Sequence, residues 1–353
     1  MLEVSQFAKD QTVAFGAGIR REIAAHAEAA GAARVLVLTT PPQEALGREL
    51  AERLGPRAVG VCARAAMHTP VEVTEEAAAV LAAAGADSVL AAGGGSTVGL
   101  GKALARRTGA AQIVLPTTYA GSECTPILGE TEGGVKTTMK DPRLLPGTVL
   151  YDPELVATLP VAMTVTSALN AMAHAVEALY AEDRSAETDR LAMLGLTAFR
   201  EALPGVMADP ADLAAREATQ RGAWACGTVL GRVGMALHHK LCHTLGGSFA
   251  LPHAETHAIV LPHAMAYNAA AVPELLAPVG ALFGGEDPAG ALWAFARDLG
   301  APMALKDLGL AEADLDRAAE IATQNPYWNP REITREGLRA LLDRAWRGDA
   351  PAA

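Results

Sequence analysis

Along the first 158 residues, short apolar runs alternate with Ala-rich stretches whose apolar positions recur at helical spacing. "RVLVLTT" (Arg34–Thr40), "SVLAAGGGS" (Ser88–Ser96) and "QIVLPTT" (Gln112–Thr118) read as strands, and 42–53 and 73–84 as helices between them. This order predicts a doubly wound, mostly parallel sheet covered by helices, which collects ligands at the carboxyl ends of its strands. After "YDPELVATLP" the strand-like runs give way to long Ala- and Leu-rich segments, among them Met163–Ala181 and Glu187–Ala202, so 159–353 is expected to be all helical. Pro204, Pro210, Pro252, Pro273 and "NPYWNPRE" are expected to break those helices. There is no repeat or low-complexity linker. The reading is therefore an α/β domain, 1–158, and an all-α domain, 159–353, packed closely with the active site in a cleft between them.

Composition narrows the class. Half of the 353 residues are apolar but only 4% are aromatic, which suits tightly packed helices and parallel strands better than a β-sandwich. A net charge of -11 without any Lys/Arg block disfavours a nucleic-acid or anionic-membrane surface. Cys62, Cys124, Cys226 and Cys242 are far apart and form no CxxC pair, so reduced thiols are expected. The N-terminal segment does not read as a signal peptide, and no apolar run reaches membrane-spanning length; a cytoplasmic protein is expected.

The first candidate chemistry lies in "AAGGGSTVGLGKALA". Gly93, Gly94, Gly95 and Ser96 follow a strand and precede a helix starting near Thr97, where close backbone approach and a helix N-terminus favour a pyrophosphate. A plain strand–helix turn also uses glycine. Lys102, early in that helix, and Thr117, Thr118 and Ser122 in "LPTTYAGSE" tip the balance towards a nucleotide. The run is not a Walker loop, because Ala103 follows Lys102, and it departs from GxGxxG. "FGAG" at Phe15–Gly18 is a second glycine turn that suits a cofactor. Pro41 stands where an acidic residue usually reads a ribose hydroxyl, so NADH and NADPH remain alternatives.

Six of the nine histidines fall between Leu237 and His263, with Glu255 as the lone acid among them. Asn170 and His174 are four apart on one helix, and His239 and His243 repeat that spacing on another, so each pair shares a face. His253, with His257 four residues on, follows Pro252 at a loop-to-helix transition. A single such histidine is most often a hydrogen-bonded core or surface residue, and His26, His68 and His263 are read in that way. Convergence of His174, His239, His243 and His253 on one cavity suits either a metal or proton transfer.

The motifs "GGGSTVGLGKA", "PTTYAGSECTPILGETEGGVKTTMKD", "NAMAHAVEALYA", "GMALHHKLCHTLGGSFALPHAETHAIVLPHAMAYN" and "NPYWNPRE" occur in the order found in the iron-containing alcohol dehydrogenase superfamily. Within it the chain closely resembles the maleylacetate reductases over nearly its whole length. The superfamily's metal positions, an aspartate and three histidines, fall on Asn170, His174, His239 and His253, and its glycine-motif aspartate falls on Gly99. An amide oxygen is a poorer ligand than a carboxylate for a hard cation. Both departures fit the resemblance to maleylacetate reductases, which are regarded as working without a bound metal.

The resemblance implies reduction of the conjugated C=C of maleylacetate to 3-oxoadipate by NADH or NADPH, in aromatic-compound degradation, by a homodimer. Hydride added to the far alkene carbon places charge on the ketone oxygen as an enolate, which is less basic than an alkoxide and needs no Lewis acid. His243 and His253 are expected to supply the hydrogen-bond donor and the proton, with His239 and His174 shaping the pocket. The keto-dicarboxylate needs cationic or N–H partners. Asn170, Lys136 and Lys240 are the expected substrate contacts, with Lys140 and Arg331 as further candidates. Glu123 and Glu130 are expected to cap or pair locally. The alternatives are an Fe- or Zn-dependent alcohol or aldehyde dehydrogenase using Asn170, His174, His239 and His253, a cyclase of the dehydroquinate synthase type, and a catalytically silent binding protein.

Overall fold

Every residue of Val35–Leu38 and Ser88–Gly93 is buried, so these strands lie inside a sheet with both faces covered. The structure is a computed structural model that describes residues 4–352, apart from the side chains of Ser5 and Lys136. Its chain divides into two units, Met1–Leu159 with Ala211–Gln220, and Pro160–Pro210 with Arg221–Ala353.

In the first unit, strands β1 (Thr12–Phe15), β2 (Val35–Leu38), β3 (Ala58–Cys62), β4 (Ser88–Gly93), β5 (Ala111–Pro116) and β8 (Thr148–Tyr151) form a six-stranded sheet of order β1-β8-β5-β4-β2-β3. All its pairings are parallel. Val35 and Val37 pack with Leu90, Ile113 and Leu115 against α1 (Ile23–Ala29) and α2 (Glu44–Leu54). Leu36, Leu38 and Val89 face α3 (Val71–Ala84) and α4 (Gly95–Thr108) on the other side. That alternation is the pleat of a strand.

"GETEGGVKTT" departs from the parallel expectation. β6 (Ile127–Glu132) and β7 (Val135–Lys140) pair antiparallel around Gly133 and Gly134, at φ 55° and 80°. A two-residue turn with both residues at positive φ matches the twist of a hairpin.

The second unit contains only helices among its described residues. α6 (Val161–Leu179) is buried almost throughout and lies among α7 (Ala186–Ala208), α9 (Leu237–Phe249) and α10 (His253–Ala269). α8 (Leu213–Arg232) starts in the stretch grouped with the first unit, which also holds the short α5 (Pro153–Val156), and α11 (Pro273–Phe283), α12 (Pro288–Asp298), α13 (Leu315–Thr323) and α14 (Arg335–Arg347) complete the second unit's set. Leu241, Leu245, Val260, Leu315, Leu338 and Leu342 form its core cluster. Pro252 and Pro273 sit at helix starts, but Pro204 lies inside α7 and does not end it. The buried stripe of Leu196, Phe199, Leu203 and Val206 carries the helix past the missing N–H.

α7 is also the one helix among the described residues that is long and apolar enough to cross a membrane by length and composition. Its buried stripe faces protein, and Glu187, Asp189, Arg190, Arg200 and Glu201 occupy the remainder of its sequence. This is the pattern of a core helix.

Candidate active site

The glycine turn and the threonine turn meet at the carboxyl ends of β4 and β5. Gly94 packs closely on the threonine turn, since a Cβ there would stand 3.0 Å from the Thr118 side chain, which would have to shift. Thr117 N–H donates to the Gly93 carbonyl at 3.1 Å, and its hydroxyl accepts from Gln43 Nε2 at 3.1 Å. α4 begins at Gly95, two residues before the expected start, so Gly93–Ser96 straddles a helix N-terminus with its unpaired N–H groups. Gly93 and Gly94 therefore adjoin Thr117 and Thr118 where α4 begins, with Gly95 and Ser96 in its first turn, while Ser122 is tied to Lys102 through its carbonyl.

Lys102 has a different part from the one its position suggests. Its ammonium is fully buried and donates to the Ser122 carbonyl at 2.6 Å, Thr125 Oγ1 at 3.0 Å and the Ile127 carbonyl at 2.8 Å. Burial pushes its pKa down to about 7, against the pull of the buried Glu123 carboxylate. Lys102 thus pins the Ser122–Ile127 loop from below. Glu123 accepts from the Tyr151 hydroxyl at 2.9 Å, and Glu130 pairs with Arg106 and Arg107.

Gly99 also has a steric explanation. A Cβ at that position would lie 2.4 Å from Thr69 Oγ1, whose residue sits at φ 47° after His68 at φ 64°. Two successive non-glycine residues in the left-handed region press a hydroxyl into the place an aspartate side chain would need.

In the second unit the imidazoles converge. Ring centroids of His174 and His239 are 5.1 Å apart, those of His239 and His257 5.1 Å, and those of His253 and His257 4.2 Å. His243 joins from the next turn of α9, 6.1 Å from His239. The four predicted histidines are thus in one group, with His253 connected through His257. His238, to which the spacing argument assigns no part, lies 5.0 Å from His239 and 4.8 Å from His257.

Glu177 organises this group and is likewise absent from the sequence-based candidates, although 170, 174 and 177 fall on one helix stripe. Its carboxylate accepts from the backbone N–H groups of Ala236 at 2.9 Å and His238 at 2.7 Å, and from His239 Nδ1 at 2.6 Å. With the Nδ1 hydrogen held there, the neutral His239 ring keeps its lone pair on Nε2. Burial pushes the Glu177 carboxyl above the usual range, and the donors around it pull the other way. Glu177→Gln should cost about 2 kcal/mol, because the amide turns an NH2 towards one of these donors. A urea melt at pH 7 checks it; an unchanged midpoint would remove Glu177 from this role.

Burial, reinforced by the neighbouring histidines, holds the pKa values of His174, His239 and His257 well below the ordinary imidazole value. These rings are neutral at pH 7. Asn170 Oδ1, His174 Nδ1 and both nitrogens of His257 are buried without a hydrogen-bond partner among the described residues. Four such atoms, on α6 and α10, are unusual for a packed interior and mark a polar ligand site.

His243 and His253 are exposed at its margin. His243 Nδ1 lies 2.9 Å from the Tyr327 hydroxyl, and Lys240 Nζ stands 6.0 Å from the centre of the Tyr327 ring. Arg331 donates to the Tyr267 carbonyl at 2.8 Å and stacks over that ring at 4.2 Å. Lys136 belongs to β7, but its side chain lies outside the described residues.

Similarity to known proteins extends over both units. A sequence model of the Fe-containing alcohol dehydrogenase family, C-terminal, matches residues 164–346, and one of iron-containing alcohol dehydrogenase matches 10–153. The chain is 58% identical over 339 residues to a maleylacetate reductase of Rhizobium sp. (strain MTP-10005), covering 96% of each. It is 48% identical over 340 residues to a maleylacetate reductase of Burkholderia cepacia, covering 96% of this chain and 97% of that one. The crystal structure of maleylacetate reductase from Agrobacterium tumefaciens superposes with a TM-score of 0.95 at 57% identity, covering 98% of both chains.

The residues present would hold a divalent cation more weakly than the superfamily's aspartate and three histidines. His238, His239 and His257 offer ring nitrogens within 4.8 Å of one another. His238 Nε2 is 3.1 Å from the His257 carbonyl, whereas His239, its Nδ1 held by Glu177, keeps Nε2 free as a ligand atom. Asn170 contributes a neutral oxygen where a carboxylate would be needed. A hard divalent cation would meet neutral donors only.

Proposed function

The chain belongs to the iron-containing alcohol dehydrogenase family, and we propose that its reaction is the NAD(P)H-dependent reduction of maleylacetate to 3-oxoadipate. The observation that carries this reading is 58% identity, over 96% of both chains, to a maleylacetate reductase, together with Asn170 in a cluster of neutral imidazoles. The Gly93–Ser96 turn and the Thr117, Thr118 and Ser122 loop take the nucleotide pyrophosphate and ribose. The keto-diacid lies against Asn170, with Lys240 and Lys136 as its cationic partners.

Hydride from the nicotinamide adds to the alkene carbon distant from the ketone. The π electrons move to the ketone oxygen as an enolate, and a proton then adds to the carbon next to the carbonyl. His243 and His253, exposed at the edge of the cluster, supply the hydrogen bond to the enolate oxygen and that proton, which is replenished from water. His174 and His239, buried and neutral, shape the pocket and do not attract the diacid as fixed charges. Because the developing charge is an enolate, no metal is required. The four cysteines are buried free thiols, in keeping with a soluble cytoplasmic enzyme, which we take to act as a homodimer in aromatic-compound degradation.

The test is oxidation of NADH and of NADPH by the purified protein with maleylacetate, with and without EDTA. Turnover that is indifferent to the chelator is expected. No oxidation of either nucleotide would end the reading, and loss of turnover on chelation, restored by Fe or Zn, would replace it with a metal-dependent one.

A further inference from the structure

We propose that Tyr327 is a positioning residue for this reaction, its hydroxyl orienting the His243 ring from a segment clamped against the two helices that carry the histidines. The inference rests on the reduction reading above.

Tyr327 lies in the irregular stretch between α13 and α14, where Asn325 takes a left-handed φ of 47°. Such a stretch would ordinarily place a side chain loosely. Here it is tied down. Asn329 and Asn268 exchange amide hydrogen bonds at 2.7 and 2.9 Å, and Asn329 Oδ1 also accepts from the N–H of Leu237, the first residue of α9, at 3.4 Å. Tyr267 of α10 donates to the Glu332 carbonyl at 2.6 Å, while Arg331 donates back to the Tyr267 carbonyl at 2.8 Å. The segment is therefore fixed to the start of α9 and to the end of α10.

The consequence falls on His243. It projects from α9 one turn after His239, exposed, where nothing in helix geometry alone fixes the rotation of the ring. Tyr327 Oη at 2.9 Å from Nδ1 fixes it. With the phenol donating to Nδ1, the ring hydrogen is on Nε2, the nitrogen directed away from Tyr327. Lys240, whose ammonium stands over the Tyr327 ring, is drawn to the same place, so one aromatic side chain gathers a hydrogen-bond donor and a cation beside the ligand site. The phenol touches no reacting atom in this scheme and acts through the imidazole.

Tyr327→Phe removes only the hydroxyl and keeps the ring under Lys240. Loss of ring orientation should lower kcat for maleylacetate about 10- to 100-fold, with the dissociation constant for NADH unchanged. The same substitution in a His243→Asn background should lower the rate by less than about twofold, because the residue it serves has gone. A Tyr327→Phe enzyme whose kcat stays within about twofold of the parent overturns the proposal. So does one whose loss is equally large in both backgrounds, which would mark Tyr327 as acting independently of His243. The parent protein is assayed alongside: failure of the parent to reduce maleylacetate overturns the reduction reading, whereas an active parent with an unaffected Tyr327→Phe variant overturns the positioning role alone.

Discussion

His243→Ala and His253→Ala should each lower kcat for maleylacetate by about 10²- to 10⁴-fold, the range that a positioned proton donor supplies. The assignment singles out these two because they are the cluster's exposed members, while His174, His239 and His257 are buried and held neutral by desolvation. A ring that cannot be charged near pH 7 is a poor proton source. The exposed rings at the rim have access to water for reprotonation. Combining the two substitutions should cost less than the product of the single effects, since one enolate is served by both residues. Nucleotide binding, measured by quenching of NADH fluorescence, should be unchanged, because the glycine and threonine turns belong to other elements. Near-normal turnover in both variants would remove the imidazole cluster from the chemistry.

Much of this arrangement is written in residue spacing. Asn170 and His174, and His239 and His243, share helix faces because they are four apart, and the structure brings His174, His239 and His243 into one group beside the buried Asn170 amide. The parallel sheet was legible because β2 and β4 are apolar on both faces. The antiparallel hairpin is written too, in Gly133-Gly134 between two β-rich runs, a pairing that calls for a turn at positive φ more strongly than for an open loop. Other contacts depend on tertiary placement. His238 points about 100° around the helix from His239, and the approach of α10 brings the His257 carbonyl to its Nε2. Glu177 is the one acid in the apolar, buried α6, and its role depends on the start of α9 turning two N–H groups towards it. Tyr327 belongs to a stretch without periodicity, whose place is set by the Asn268–Asn329 amide pair. Lys102 is the opposite case. Its position in the motif suggested a part in nucleotide binding, but the hydrophobic burial of α4 turns its ammonium into the loop below.

The buried, neutral histidines should also make the fold fragile in acid. Burial holds His238 down to about pKa 3 and His263 to about 4, against about 6.5 in an unfolded chain. Between those limits the unfolded chain binds protons that the native protein does not, so stability falls as pH is lowered from about 6.5 towards about 4. Each such histidine contributes up to about 1.4 kcal/mol per pH unit, so this pair alone should remove about 3 kcal/mol between about pH 5.5 and 4.5. His174, His239 and His257 shift in the same direction and steepen the slope. The window lies above that of carboxylates held down by hydrogen bonds and ion pairs, such as Asp87 beside Ser88 and the Arg34 N–H, and Glu49 beside Arg53 and Arg20, whose contribution is lost only below about pH 4.5. Urea unfolding at half-unit intervals from pH 7 to 4.5 measures it. His263 makes no ring contact with the cluster around His239 among the described residues and has no assigned part in the reaction, so His263→Gln isolates one proton: the slope should flatten by about 1.4 kcal/mol per pH unit with kcat at pH 7 unaltered. A pH-independent urea midpoint across this range would mean that the imidazoles protonate without unfolding the chain, and the dry, uncharged interior on which the acid–base assignments depend would have to be abandoned.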